Sequence, residues 1–202
     1  MPSLKHERLY PGPVAGVDEA GRGPLAGPVV AAAVILPECR VPRGIDDSKK
    51  LPAAERARLC ALIRERGCVG VGMVEAPEID VLNIYWATMK AMTLAVQQLA
   101  ECLGEDPGHV LVDGNRLPRW DYAATPIVGG DALSLSIAAA SVVAKHTRDT
   151  IMLAHHETYP LYSWASNKGY GCPAHRRALM EHGPTPLHRR SFAPVAQAEL
   201  AF

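Results

Sequence analysis

Residues 17–23 combine carboxylates, glycines and an arginine in a way that suits phosphate chemistry. Asp18 and Glu19 follow an apolar segment directly, and the sequence Gly-Arg-Gly occupies positions 21–23. Glycines allow backbone N–H groups to approach an anion or a sugar, and arginine is a forked cationic donor. Adjacent carboxylates can hold the divalent metal ion that makes a phosphodiester susceptible to attack. The segment therefore indicates metal-dependent chemistry on a phosphate ester.

Two more acids lie where predicted strands end. Asp113 follows the apolar residues 110–112, and Asp131 follows the segment 127–130, which ends in two glycines. Active sites collect at strand ends in sheets of this kind, so these acids and the pair at 18–19 can meet there. Four carboxylates without histidine or cysteine favour a hard cation. The set predicts Mg²⁺ or Mn²⁺, as a pair of ions bridged by carboxylates, one activating water and one stabilising the leaving oxygen.

Each acid also has a purely structural interpretation. Asp131 could be the N-cap of the helix that is predicted to follow it, and Asp113 could be a turn residue before glycine and asparagine. Asp18 favours function more strongly, because a carboxylate after the apolar residues 14–17 is costly to bury unless it is paired or binds metal. Successive strand residues point to opposite faces, so Asp18 and Glu19 share a site only if the chain bends between them or reaches the sheet edge there.

The hydrophobic periodicity predicts an α/β fold in which helices flank a mixed β-sheet. The first two strands are expected to form a hairpin around the glycine turn, and Asn83 is expected to cap a long helix. Short helices and proline turns follow in a C-terminal extension. The predicted strands cover residues 14–18, 28–36, 68–74, 109–113 and 125–128, and the predicted helices cover 51–66, 83–103 and 132–156.

Length and composition indicate one compact domain. The chain has 202 residues, 48% of them hydrophobic, which is enough for one sizeable core but short for two catalytic domains. We expect a single catalytic domain over residues 1–202, with a helical, basic, substrate-binding extension from about residue 160. The five cysteines contain no Cys-x-x-Cys pair, which argues against a disulfide framework or a zinc site. A reducing cytoplasm is the expected location, because no leader or membrane-spanning segment is recognisable.

Charge is distributed unevenly along the chain, although the formal net charge is zero. Residues 161–202 contain five Lys and Arg against two Glu. A basic tail beside an acidic body suits a protein whose body holds cations and whose tail binds a polyanion. Chance variation is the simpler explanation when this asymmetry is considered alone.

Seven motifs occur along the chain in a fixed order. They are DEAGRG with PLAGPVVAAAVIL (18–36), DDSKKL (46–51), EIDVLNI (78–84), LVDGN (111–115), GD followed by IAAASVVAKHTRD (130–149), NKGYG (167–171) and HRRSFAPV (188–195). As a set they resemble type 2 ribonuclease H, the bacterial ribonuclease HII family, over nearly the whole chain. The related type 3 enzymes usually carry an extra N-terminal substrate-binding domain, and only about 13 residues precede the first predicted strand here. Type 2 is therefore favoured.

The resemblance implies a ribonuclease H-like fold and gives a role to each acid. The family's catalytic, metal-binding carboxylates correspond to Asp18, Glu19, Asp113 and Asp131. In the family, a turn reads the 2′-hydroxyl of a ribonucleotide, and it corresponds to Gly21, Arg22 and Gly23. A family tyrosine that packs on the deoxyribose of the next nucleotide corresponds to Tyr170. Further substrate contacts would come from Lys49, Asn83, Lys145, Lys168 and the arginines of the tail.

Elementary chemistry agrees with this division of roles. Backbone groups reach a 2′-hydroxyl only where side chains are absent, and an aromatic ring against a sugar accepts deoxyribose while crowding an extra hydroxyl. Three structural interpretations without a functional role remain open. Tyr170 could be a core aromatic between two glycines, Asn83 could be a helix cap only, and the lysines could be solvated surface residues.

The implied reaction is hydrolysis of the phosphodiester on the 5′ side of a ribonucleotide, leaving a 3′-hydroxyl and a 5′-phosphate. The substrates would be RNA–DNA hybrids and duplex DNA with single embedded ribonucleotides, and the role would be removal of misincorporated ribonucleotides and RNA primers. Water would be the nucleophile, without a general-base histidine. A monomer is the default, and contact with a sliding clamp near the C-terminus lacks a clear motif.

Three residues depart from the family pattern. The family commonly has histidine at Asn167, a basic residue at Gly130 and a polar residue such as threonine at Cys172. None of these changes removes a catalytic acid, but they concern the backbone contacts with substrate around Tyr170 and the electrostatics beside Asp131. Two other classes of protein stay open at this point: a non-catalytic hybrid-binding protein, and a different metal nuclease such as a junction resolvase, which would need a dimer.

Overall fold

A five-stranded mixed sheet forms the centre of the protein. In this computed structural model, which describes residues 1–200, the strands are Val14–Ala20 (β1), Val29–Ile35 (β2), Cys68–Val74 (β3), His109–Asp113 (β4) and Ala124–Ile127 (β5). Their spatial order is β3-β2-β1-β4-β5. β2 pairs antiparallel with both β1 and β3, whereas β4 is parallel to β1 and β5 is parallel to β4. The predicted mixed sheet and its first hairpin are confirmed.

Helices connect and cover these strands. Within residues 1–200 they are Ala53–Arg66 (α1), Ala76–Leu82 (α2), Ile84–Leu103 (α3), Leu135–Thr158 (α4), Trp164–Asn167 (α5), Pro173–His182 (α6) and Ala193–Glu199 (α7). The sequence predicted α1, α3 and α4 but missed α2, because seven residues are too few for a helical period to emerge. No helix in this described part combines the length and apolar character needed to cross a lipid bilayer.

Both long helices begin at side-chain caps. Asn83, with a φ of 64°, separates α2 from α3 and accepts hydrogen bonds from the first backbone N–H groups of α3, which confirms the predicted cap. The start of α4 was predicted three residues too early. Its N-cap is Ser134, whose hydroxyl accepts from Ile137 N–H, and buried Glu7 accepts from Ser136 N–H at 2.9 Å. Asp131 therefore does not cap this helix and is left available for other contacts.

Helices cover both faces of the sheet because strand residues alternate between two buried clusters. Ala15 and Val17 of β1 pack in the cluster that contains α3, while Ala32 and Val34 of β2 pack against α4 and α1. The α4 backbone lies so close to β1 that a Cβ atom on Gly16 would be 2.1 Å from the carbonyl carbon of Ser136. This close approach fixes α4 against the strand that carries the first two acids.

The C-terminal helices form a third cluster around the connection between β1 and β2. Trp164, Leu179 and Val195 are buried there together with Leu25. The segment before α7 adds a short antiparallel pairing, in which Arg189 N–H donates to Leu25 O at 2.8 Å. The helical C-terminal extension of the predicted fold is thus confirmed, with its last two residues, 201–202, outside the described part. That residues 1–202 act as one catalytic domain stays a prediction.

Two buried histidines link Tyr170 to the rest of this extension. His188 Nδ1 accepts from Thr185 N–H at 2.9 Å, so His188 Nε2 carries the proton and donates to His175 Nε2 at 3.0 Å. His175 Nδ1 then donates to the carbonyl of Tyr170 at 2.9 Å, and Trp164 Nε1 donates to His175 Nε2 at 3.2 Å. Burial, followed by the proximity of His175, lowers the pKa of His188 to about 3, and burial also lowers the pKa of His175. Both rings are therefore neutral at pH 7.

We expect Gly16→Ala to destabilise the fold by about 3 kcal/mol, because the added methyl group collides with the α4 backbone rather than with a movable side chain. Urea unfolding monitored by circular dichroism measures this change. Gly23→Ala is the matched control, since a Cβ atom there would meet only Tyr170 Cε1 at 3.7 Å. Equal midpoints for the two variants would contradict the close approach.

The neutral pair of histidines predicts a loss of stability in acid. Below about pH 6.5, His188 binds a proton in the unfolded chain but not in the folded protein. The contribution of His188 to the free energy of unfolding is therefore complete above that pH, and it is lost as the pH falls towards 3. The advantage of the wild type over His188→Gln should shrink by about 2 kcal/mol between about pH 7.5 and about pH 4.5. Urea unfolding at each pH measures it, with exposed His182→Gln as the control, and a constant difference would refute the prediction.

Candidate active site

The four acids singled out by the sequence lie near the carboxyl ends of β1 and β4. The parallel register of these strands pairs Val17 with Val112, so Asp18 and Asp113 each follow that pair at the same end of the sheet. Asp131 lies in a 3₁₀ turn, Gly130–Ala132, that precedes α4. The N–H of Gly130 donates to Asp113 Oδ1 at 2.7 Å. This bond joins the turn to the end of β4, and so brings the third and fourth acids together.

Asp18 and Glu19 share this region without a bend in the chain. β1 continues regularly against β2 as far as Ala20, but its parallel neighbour β4 ends at Asp113. One side of β1 is therefore unpaired beyond that level, so Asp18 and Glu19 lie at a local edge of the sheet. A sheet edge at this point was one of the two conditions under which these acids can share a site. The N–H of Glu19 donates to Asp18 Oδ1 at 2.7 Å, which orients the Asp18 carboxylate.

Burial, and then mutual repulsion, perturbs the ionisation of these acids. Asp18 is only 6% exposed, and burial raises its pKa well above that of an ordinary aspartate. The negative charges of Glu19, Asp113 and Asp131 raise the pKa of Asp18 further. Burial also raises the pKa values of Glu19 and Asp113, against the opposing effects of Arg22 and of the Gly130 N–H, respectively. Burial and mutual repulsion therefore make the ionised carboxylates of this cluster costly.

Lys49 is the cation nearest to the fourth acid. Its ammonium group lies 3.7 Å from Asp131 Oδ2, and its side chain is 80% exposed. Partial burial lowers the pKa of Lys49, but the carboxylates of Asp131, Asp47 and Asp18 raise it by more, so the net shift is upward. A mobile, exposed lysine can leave this ion pair for a phosphate group.

The donor set fits a hard divalent cation, although it is not a closed cage. Within residues 1–200, no three His, Cys, Asp or Glu side chains already converge as a complete metal site. Mg²⁺ and ions like it are commonly bound through one or two carboxylates, with water and substrate phosphate completing the shell. The four acids, which do not form a closed cage, suit that pattern. A bound cation would also offset the negative charges of the neighbouring acids, which help to raise the pKa of Asp18. The residues present therefore fit the predicted metal.

The glycine turn and Tyr170 face each other across a cavity. This cavity, of about 220 Å³, is lined by Glu19, residues 20–23, Lys49, Lys145 and Tyr170, among others. A Cβ atom on Gly23 would lie 3.7 Å from the Tyr170 ring, and Tyr170 is 46% exposed. The alternative of Tyr170 as a core aromatic is therefore wrong. Two segments that are about 150 residues apart in the chain form one concave surface beside the carboxylates.

Two buried arginines support this turn. Arg148 is fully buried, with Nε donating to Pro28 O at 2.9 Å and its guanidinium 5.9 Å from the Tyr170 ring. A Cβ atom on Gly21, whose φ is +99°, would lie 2.1 Å from Arg148 Nε, so only glycine fits there. Arg189 is also fully buried and donates to Gly21 O. The sequence offered one clue, because Arg148 continues the helical face of the buried residue Ala144.

The arginines of the tail are used differently from what the sequence predicted. Arg189 cannot be a phosphate contact because it has no exposed surface. Arg190 is paired with Glu199, and Arg176 donates to the carbonyl of Gly171 at 2.8 Å. The net positive charge of the tail therefore stabilises the fold in part, instead of forming one free basic surface.

The four remaining candidates separate into two groups. Lys49 and Lys145 line the cavity, and Lys145 also pairs with Asp149 at 2.7 Å. Lys168 does not line this cavity; its ammonium group bonds to the carbonyl of Ala165. Asn83 uses its side-chain oxygen to cap α3. Substrate contacts for these last two residues stay predictions.

Two of the three departures have local structural explanations. A Cβ atom on Gly130 would lie 2.6 Å from Ile137 Cδ1, so glycine allows the turn to pack closely while its N–H binds Asp113. Asn167 donates to Tyr162 O and accepts from Gly169 N–H, each at 2.8 Å, and thereby shapes the loop before Tyr170. Cys172 precedes α6 without a side-chain cap, and nothing in the structure explains its identity.

Comparison with known proteins agrees with the geometry. The family model described as Ribonuclease HII matches residues 15–195. Ribonuclease HII of Rhizorhabdus wittichii is 61% identical over 199 residues, covering 98% of this chain and 96% of that protein. Among solved structures, ribonuclease HII from Archaeoglobus fulgidus in its complex with PCNA has a TM-score of 0.72 at 26% identity, covering 92% of this chain and 96% of that one.

A third comparison concerns the fold alone. A Bst ribonuclease HIII, solved in complex with Mn²⁺, has a TM-score of 0.74 at 21% identity, covering 96% of this chain and 72% of that one.

The fold and the family match together define a ribonuclease H-like hydrolase that acts on nucleic acid and belongs to a metal-dependent class. Within that class, the chain belongs to the ribonuclease HII family and is a ribonuclease H endonuclease. The predicted family and fold class are confirmed.

Removing one negative charge should stabilise the metal-free protein. Because burial and neighbouring acids raise the pKa of Asp18, its ionised form opposes folding at neutral pH, so Asp18→Asn should raise the free energy of unfolding by about 1 kcal/mol in EDTA. Thermal unfolding measures this gain. Mn²⁺ should then raise the melting temperature of the wild type more than that of the variant. Exposed Asp121→Asn is the control, and a destabilised Asp18→Asn in EDTA would contradict the repulsion.

Proposed function

We propose that the chain hydrolyses the phosphodiester on the 5′ side of a ribonucleotide, in RNA–DNA hybrids and at single ribonucleotides embedded in duplex DNA. The products carry a 3′-hydroxyl and a 5′-phosphate. In the cell this activity removes misincorporated ribonucleotides and RNA primers. The observation that carries the proposal is the cavity that Glu19, the glycine turn and Tyr170 line together.

The shape of this cavity suits a junction between ribose and deoxyribose. Gly21 and Gly23 place backbone next to the cavity without side chains, so a 2′-hydroxyl can approach the N–H groups of the turn. The exposed ring of Tyr170 stands opposite, where an aromatic face accepts a sugar that lacks this hydroxyl. A Cβ atom on Gly23 would lie 3.7 Å from the Tyr170 ring, an ordinary van der Waals contact, so the turn and the ring border the same space.

The acids perform the chemistry beside this cavity in our proposal. Asp18, Glu19, Asp113 and Asp131 would hold one or two Mg²⁺ or Mn²⁺ ions, which when bound activate water and neutralise charge on the scissile phosphate. Asp18 and Asp113 present adjacent carboxylates at the strand ends, while Gly130 N–H holds the Asp113 carboxylate in place. Lys49 and Lys145 would contact backbone phosphates next to the cavity.

Partner interactions and location follow from the proposed substrate only in part. A basic segment and two lysines at the cavity suit a nucleic-acid duplex. A cytoplasmic location, a monomeric state and contact with a sliding clamp stay predictions for this chain.

The test is cleavage of a labelled DNA duplex that contains one ribonucleotide. We expect cleavage on the 5′ side of that ribonucleotide with Mg²⁺ or Mn²⁺, and none in EDTA. Asp18→Asn should lower the rate at least about 100-fold, because one carboxylate of the set loses its charge. An all-DNA duplex is the substrate control, and Asp121→Asn is the protein control. Equal cleavage of the all-DNA duplex would refute sugar recognition by the turn and Tyr170, and binding without cleavage would refute catalysis.

A further inference from the structure

Arg189 makes an unusual set of contacts for a buried charged residue. Its Nη2 donates to Gly21 O at 2.6 Å, and its Nη1 donates to Arg22 O at 3.0 Å. Its Nε and Nη2 also donate to Gly27 O at 3.0 and 2.8 Å, and the guanidinium lies 5.2 Å from the ring of Phe192. Within residues 1–200 it has no carboxylate partner at ion-pair distance. Backbone carbonyls are therefore its hydrogen-bond partners and the main compensation for its burial.

These contacts determine which way the peptide groups of the turn point. In a trans peptide, the carbonyl and the N–H of one peptide plane point in opposite directions. The carbonyls of Gly21 and Arg22 point at Arg189. The N–H groups of the same two planes belong to Arg22 and Gly23, so they point away from Arg189.

The two N–H groups are free to bind a ligand. No acceptor in residues 1–200 receives a hydrogen bond from the N–H of Arg22 or of Gly23. Both residues are exposed and line the cavity of about 220 Å³ opposite Tyr170. A pair of oriented N–H donors at a sugar-sized cavity is suited to a hydroxyl oxygen as acceptor.

We propose that Arg189 is a positioning residue for ribose recognition: by holding the carbonyls of Gly21 and Arg22, it aims the N–H groups of Arg22 and Gly23 at the 2′-oxygen of the substrate. This inference rests on the proposed function, because it assumes that the cavity receives the ribonucleotide. It adds that the orientation of the peptide groups in the turn is set by a residue more than 160 positions away in the sequence.

The backbone around Arg189 is anchored independently of its side chain. Its N–H donates to Leu25 O, and Gly27 N–H donates to Leu187 O, both at 2.8 Å. A substitution that keeps the side-chain volume can therefore leave the C-terminal segment in place. Lysine has one ammonium group instead of a planar fork, so Arg189→Lys cannot hold the carbonyls of Gly21, Arg22 and Gly27 simultaneously.

The test compares two affinities for each protein. Fluorescence anisotropy in EDTA, where metal-dependent cleavage does not occur, measures binding to a duplex with one ribonucleotide and to the same duplex made of DNA only. We expect the preference of the wild type for the ribonucleotide to fall about 10-fold in Arg189→Lys, which corresponds to about 1.4 kcal/mol and to one or two misdirected hydrogen bonds. Affinity for the all-DNA duplex should not change, because phosphate contacts are intact.

A general loss of stability would give a different result. Leu179→Ala removes a buried side chain from the same C-terminal cluster without contacting the turn, and it should keep the full preference at a comparably reduced melting temperature. An unchanged preference in Arg189→Lys would overturn the inference while leaving the proposed function intact. No preference in the wild type itself would instead overturn the proposed function.

A second measurement needs no variant of Arg189. In ¹⁵N-labelled wild type, the amide signals of Arg22 and Gly23 should shift more with the ribonucleotide duplex than with the all-DNA duplex. The amide of Gly104, a helix C-cap away from the cavity, is the control. Equal shifts with both duplexes would refute the role of these two N–H groups, even if Arg189→Lys failed to fold.

Discussion

Hydrogen bonds from two buried guanidinium groups to backbone carbonyls hold the candidate site together. Arg148 and Arg189 come from α4 and from the segment before α7, and both reach the connection that follows β1. An unpaired charge inside a protein is expensive unless many polar atoms surround it. Burial lowers the pKa of Arg189 to about 9, and the charge of Arg148 contributes, so the guanidinium stays charged at pH 7. The desolvation cost of burying these guanidinium groups is thus borne at the place where their hydrogen bonds hold the glycine turn.

The carboxylates impose the opposite constraint. The sheet places Asp18 and Asp113 next to each other at the ends of parallel strands, and burial, followed by repulsion from Glu19 and Asp113, raises the pKa of Asp18. Such a cluster opposes folding, and the rest of the core must hold it in position. Close packing of α4 on Gly16 and the Gly130 N–H bond to Asp113 supply that rigidity. The site is therefore a buried cluster of acids in a closely packed frame, which is an arrangement that a bound cation stabilises.

These two constraints meet at the cavity. Glu19 belongs to the carboxylate cluster and also lines the cavity with the glycine turn, and Arg22 of that turn pairs with Glu19 at 3.3 Å. Tyr170 reaches the same cavity from the C-terminal extension, where the bond from His175 holds its carbonyl. In the proposed function, chemistry and recognition are therefore adjacent, because the turn follows in the chain directly after the strand that carries Asp18 and Glu19.

The sequence by itself determined the sheet, the three longer helices and the four acids, because these follow from local periodicity and from residue types that are costly to bury without a partner. It also placed Tyr170 and the glycine turn in one site through the family motifs. Only the tertiary structure decided the burial and the hydrogen-bond partners of Arg189 and His188. In the sequence, Arg189 and His188 look like ordinary residues of a basic tail, although both are buried. Their burial depends on contacts with distant segments, and no local pattern encodes those contacts.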